Sequence, residues 1–169
     1  PPSPPDPQFL LISAGLGISG IALPTQSSNG SGTGFFGEVD YVIKPLSWLL
    51  PKAYAGVLFT GADTSSCDGT PCDVSAKIGF LGGKLRLIAP IPYVAPFIEG
   101  GFGVSFGSLT TRTPEADNGT VNVTYNVPVS AGLALGENQS FEVGLSYLMH
   151  PSVGQLDGAL DLSIVIPLN

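Results

Sequence analysis

Residues 93–109 read YVAPFIEGGFGVSFGSL, and the fold turns on how this stretch alternates. Every second residue from Val94 gives Val94, Pro96, Ile98, Gly100, Phe102, Val104 and Phe106. The complementary set is Tyr93, Ala95, Phe97, Glu99, Gly101, Gly103, Ser105 and Gly107. A period of two sustained over about 16 residues predicts one long β-strand with two unlike faces. A soluble sheet would turn the Phe, Val and Ile face to a core and carry many charges on the other. Here the second face holds glycines, a serine and a single carboxylate. That pattern fits a small transmembrane β-barrel, apolar towards lipid and small or polar towards a narrow interior.

The rest of the 169-residue chain supports the same reading. Only 11% of its residues are charged, against about 25% in ordinary soluble domains, and it contains 23 Gly and 16 Pro. No run of about 18 apolar residues is present, which excludes a spanning helix. An apolar chain without such a helix can face lipid only as a closed barrel, where every backbone group is paired. The net charge of −7 argues against nucleic acid as a partner. The opening PPSPPDP, residues 1–7, reads as an exposed Pro-rich leader of a chain whose secretion signal has been removed; the barrel is expected over 8–169.

Eight strands follow from the alternation. Residues 8–23 set Leu10, Ile12, Ala14, Leu16 and Ile18 against Leu11, Ser13, Gly15, Gly17 and Ser19. Residues 35–44 set Phe35, Val39, Tyr41 and Ile43 against Phe36, Glu38, Asp40 and Lys44. PLSWLLPK, 45–52, reads as a compact proline-bracketed turn with Trp48 as an interfacial anchor. Strands are then expected at 53–62, 73–89, 93–109, 121–136, 140–149 and 159–168. In the 73–89 strand the polar parity switches after Gly82-Gly83, from Ser75 and Lys77 to Lys84 and Arg86, which predicts a glycine β-bulge there. Segments 25–34, 63–72, 110–120 and 150–158 read as polar loops, and the alternate connections are shorter and carry Pro or apolar residues. Long loops at one end and short turns at the other are typical of bacterial outer-membrane barrels.

PFIEGGFGV, then VPVSAGLALGENQSFEVGLSYLM and a last alternating strand, make the chain resemble the small eight-stranded outer-membrane β-barrels. The OmpA transmembrane domain and OmpX belong to that family, and the cysteine-bearing loop is similar to that of TtoA. The resemblance covers 8–169. It implies an up-and-down antiparallel barrel, outer-membrane lipid as its surroundings, a monomer, and an extracellular ligand or cell-surface partner at the loops. Such chains usually end in an aromatic residue; this one ends Pro167-Leu168-Asn169.

The inward ionisable residues are the main candidate site: Glu38, Asp40, Lys77, Lys84, Arg86, Glu99, Glu142 and Asp161. An eight-stranded barrel has room inside for side chains and little else, so these groups are expected to pair and plug the lumen, with Lys77 as the partner of Glu99. The competing use is a narrow cation-preferring pore, since acids outnumber bases. Cys67 and Cys72 are the only cysteines and permit a disulfide or half of a metal site. With no second Cys pair and the one His far away in sequence, the disulfide is the expected state. Asp63, Asp68 and Asp73 around them match no EF-hand spacing and read as solvated acids. His150 and Ser152 resemble the His and Ser of PagL-type lipid A deacylase barrels, but parity points His150 inward and no Glu follows. No enzyme, metal or cofactor is expected. Sequons at Asn29, Asn118, Asn122 and Asn138 support a rival class, a secreted glycosylated β-sandwich or filament subunit.

Overall fold

Period-two patterning becomes nine strands in the computed structural model, which describes residues 8–21, 31–61, 65–67, 70–113, 116–151 and 155–168. They are β1 (Gln8–Ile21), β2 (Ser31–Ile43), β3 (Leu49–Thr60), β4 (Ser65–Cys67), β5 (Thr70–Ile88), β6 (Tyr93–Thr113), β7 (Ala116–Gly136), β8 (Phe141–His150) and β9 (Gln155–Leu168). Strand β4 is a short addition that pairs with the start of β5. The other eight form an antiparallel meander that closes on itself, because β3 pairs with β5 and β1 pairs with β9. Closure leaves these strands without free edges. It also rules out the β-sandwich, which needs two separate sheets.

Alternation then sorts the side chains. Leu16, Phe35, Ile98, Phe102 and Leu160 project outwards and are more than half exposed. Their neighbours Leu11, Phe36, Phe97 and Ala159 are buried inside. One end of the barrel carries the β1–β2, β3–β5, β6–β7 and β8–β9 connections and is called here the loop end. The turn end carries residues 44–48, 89–92 and 137–140, with Trp48 exposed among them.

Several boundaries differ from the sequence reading. Strands β6 and β7 run through most of the polar 110–120 segment, and β9 begins within the 150–158 segment. Polar composition signals water contact rather than irregular backbone, and paired strands can rise into water. Strand β3 begins at Leu49, inside what reads as a turn. Pro51 is tolerated because the β2–β3 pairing stops at Lys52, so only β5 pairs alongside it. Likewise the β6–β7 ladder omits Val127 and Pro128, where the proline lacks an N–H.

The glycine bulge expected in β5 is absent there. Pairing of β5 with both neighbours runs without a register shift past Gly82 and Gly83. The irregularity lies in β6, after Phe106, beside Gly107 with φ of 128°. A residue with a side chain rarely adopts that backbone, so a glycine is suited to it. The leader 1–7, Asn29, Asp63, Asp68 and Asn169 lie outside the described residues, as do the side chains of Cys67, Cys72, Asp73, Asn118, Asn122 and Ser152. Asn138 is exposed in the β7–β8 turn.

Candidate functional site inside the barrel

The lumen is built in levels. Nearest the turn end is an apolar level of Leu11, Val42, Leu50, Ile88, Ala95, Phe97 and Ala134. Towards the loop end is a second, of Phe36, Tyr54, Leu58, Ile78, Phe80, Leu148 and Ala159, with the Phe36 and Phe80 rings stacked 5.9 Å apart. Gly56 leaves space for this stack, since a Cβ there would meet the Phe80 ring at 2.6 Å.

Between the apolar levels lies an ionic one. Lys52 Nζ is 2.6 Å from Asp40 Oδ2 and donates to Glu99 Oε2 at 2.9 Å. Lys84 pairs with Glu38 and lies 3.7 Å from Glu99 Oε1. Arg86 donates through Nε to Glu99 Oε2 at 2.8 Å, and through both Nη atoms to the two Glu142 oxygens at 2.5 and 3.0 Å. These residues are all buried. Two cations also cap aromatic faces: Lys84 Nζ stands 4.5 Å from the Tyr54 ring centre, and Arg86 Cζ 3.8 Å from that of Phe97. Such contacts gain strength where water is excluded. Asp161 is held differently, accepting from Ser146 Oγ at 2.5 Å, and Ser13 and Ser163 bond each other at 2.8 Å. One polar void in this level is about 10 Å³, at most the space of one water, and a cavity of about 240 Å³ at the turn end reaches Arg86 and Glu142.

Glu38, Asp40, Lys84, Arg86, Glu99, Glu142 and Asp161 all turn into the lumen, but Lys77 does not. It is exposed on the outer face, opposite Phe59 and Ser108. Over the described side chains of β5 the inner set is even-numbered: Ile78, Phe80, Lys84, Arg86 and Ile88. The inner face turns apolar where it meets the aromatic level, and this made the polar parity appear to switch. Glu99 therefore pairs with Lys52, Lys84 and Arg86. Lys52 was hidden from the sequence reading by the neighbouring proline. The signal that could have found it is parity, since Lys52 shares the inward phase of Tyr54 and Leu58. Lys44 sits one residue beyond β2 and lines a cavity of about 240 Å³ at the turn end.

A second polar group lies nearer the loop end. His150 has no exposed surface; its Nε2 is 2.9 Å from Ser105 Oγ and its Nδ1 3.0 Å from Asp157 Oδ2. Asn126 Nδ2 donates to Ser105 Oγ at 2.7 Å, and the Tyr54 hydroxyl donates to Asn126 Oδ1 at 2.7 Å. Gly103 makes room for that hydroxyl, because a Cβ would lie 2.2 Å from it. His150 thus belongs to the lumen and not to a loop, and it faces away from the surroundings of the barrel, unlike the arrangement expected of an outward deacylase site. Asp157 belongs to β9, opposite Leu148, and not to a loop.

An eight-stranded closed antiparallel barrel with an apolar outer belt and an ionic lumen has the fold of the small outer-membrane β-barrels. No protein-family model matches the sequence, and no curated protein matches it. Among solved structures the chain is similar to the crystal structure of Neisserial surface protein A, with a TM-score of 0.67 and 12% identity, covering 95% of this chain and 97% of that one. The N-terminal β-barrel domain of Pseudomonas aeruginosa OprF gives 0.53 and 10%, covering 95% and 99%. The attachment invasion locus protein of Yersinia pestis, in complex with the heparin analogue sucrose octasulfate, gives 0.50 and 11%, covering 97% and 99%. At these identities the likeness is one of fold.

Proposed function

We propose that this protein is an integral barrel of a bacterial outer membrane that displays its loops at the cell surface, in adhesion or envelope integrity, with its lumen plugged by the charged network. The observation that carries the reading is the layered lumen. An ionic level in which every cation has a carboxylate partner, set between two apolar clusters, supports a filled lumen and leaves the outer belt and the loops as the surfaces for a role. The long β6–β7 hairpin, which runs to Thr113 and resumes at Ala116, and the 22–30 connection lie at one end and support display from that end. Binding of a sulfated sugar analogue by one barrel of the same fold suits a ligand at such loops. Outer-membrane lipid would surround the belt.

Fractionation of the bacterial envelope, together with protease treatment of intact cells, tests this. The expected outcome is recovery in the outer membrane as a heat-modifiable band, with cleavage confined to the loop end. A protein that stays in solution without detergent would overturn it.

A further inference from the structure

The group at the loop end has the components of an acyl-transfer site. Ser105 Oγ lies 2.9 Å from His150 Nε2, and His150 Nδ1 lies 3.0 Å from Asp157 Oδ2. Both distances fall within the reach of nucleophile to base and of base to orienting acid. With the proton on Nδ1, Nε2 is free to accept the Ser105 proton, and the Asp157 carboxylate 3.0 Å from Nδ1 stabilises the imidazolium that forms. Such a triad is recognised by geometry and role, and the order of its members along the chain is immaterial. Asn126 supplies an amide N–H 2.7 Å from Ser105 Oγ, and the Tyr54 hydroxyl fixes the orientation of that amide. The bond from Asn126 holds Ser105 Oγ in place beside His150.

The strands place the group near the rim. Strand β8 stops at His150, whereas β6 continues past Ser105 to Thr113 and β7 reaches back beyond Asn126 to Ala116. Ser105, His150, Asp157 and Asn126 are each at most 1% exposed, so the loop end must open for a reactant to enter.

We propose that Ser105 is an activated nucleophile that takes the acyl group of small carboxylic esters entering from the loop end. Its Oγ bonds to the carbonyl carbon while its proton passes to His150 Nε2. The C–O bond to the alcohol then breaks, and the same proton leaves with the alkoxide. Water, with His150 again accepting a proton, hydrolyses the acyl-serine, releases the carboxylic acid and restores Ser105. This activity is independent of the display role.

Diisopropyl fluorophosphate is the probe. It forms a P–O bond to an activated serine and releases fluoride and a proton. Folded barrel in detergent, checked by heat-modifiable migration, is incubated with excess probe and the adduct is mapped by mass spectrometry. The expected result is one adduct, on Ser105, formed about 10²-fold or more slowly in His150→Gln and Asp157→Asn and absent in Ser105→Ala. Wild type carries the test if a variant fails to fold. A folded wild type with no adduct on Ser105, or labelling that is unchanged in folded His150→Gln, overturns the assignment and leaves the five residues as a structural hydrogen-bond chain.

Discussion

In the middle of the lumen Arg86 grips three carboxylate oxygens on two strands, whereas at the loop end His150 has one partner on each side, in a chain that passes from Tyr54 through Asn126 and Ser105 to Asp157. Both groups are buried and both tie several strands together. The ionic level is branched: Glu99 meets Lys52, Lys84 and Arg86 at once. The loop-end group carries one carboxylate, that of Asp157, and one ionisable base, His150. Removing a member of a branched charge network leaves full charges without compensation in a dry space, whereas removing a member of the loop-end group leaves hydrogen-bonding groups unmet. Desolvation makes the first loss the larger.

Arg86→Ala breaks the comparison hardest. It leaves Glu142 without its cation and takes one partner from Glu99, and a loss of about 3–5 kcal/mol is expected. Urea unfolding in lipid vesicles, followed by gel migration, reads it. Asn126→Ala strands the Tyr54 hydroxyl and removes a donor to Ser105, and should cost about 1–3 kcal/mol in the same assay. The double variant sharpens the contrast. If the apolar level of Phe36, Leu58 and Phe80 insulates the two groups, the separate losses add to within about 0.5 kcal/mol. A larger coupling would show that the Lys84 contact with the Tyr54 ring joins them. Lys77→Ala, on the outer face, should change stability by no more than about 0.5 kcal/mol. A loss as large as that of Arg86→Ala would put Lys77 back in the lumen.

The barrel was legible because six of its strands alternate in a phase that the sequence shows directly, with Phe102 and Val104 outside and Glu99 and Ser105 inside. Charge marked the inner face at Glu38, Asp40, Glu99 and Glu142. It misled in β5, where Ile78 and Phe80 fill the aromatic level and Lys77 points outwards. Parity reasoning equates polar with inward, and that holds only at the levels where the lumen is polar. Lys52 was lost to the expectation that Pro51 ends a strand, a constraint that β3 avoids by pairing there on one side. The Ser105, His150 and Asp157 group could not be read from spacing at all. Its members come from β6, β8 and β9, and only the closing registers bring them together.

Whether the lumen is closed is the central claim, and conductance across a planar bilayer tests it most directly. Folded wild-type barrel, inserted at measurable density, should give no steady single-channel steps, because the paired charges and the apolar clusters on either side leave voids of only about 10 and 20 Å³ between the turn-end cavity and the loop end. Steady, reproducible steps with a preference for cations would contradict the account and make the ionic level the lining of a pore.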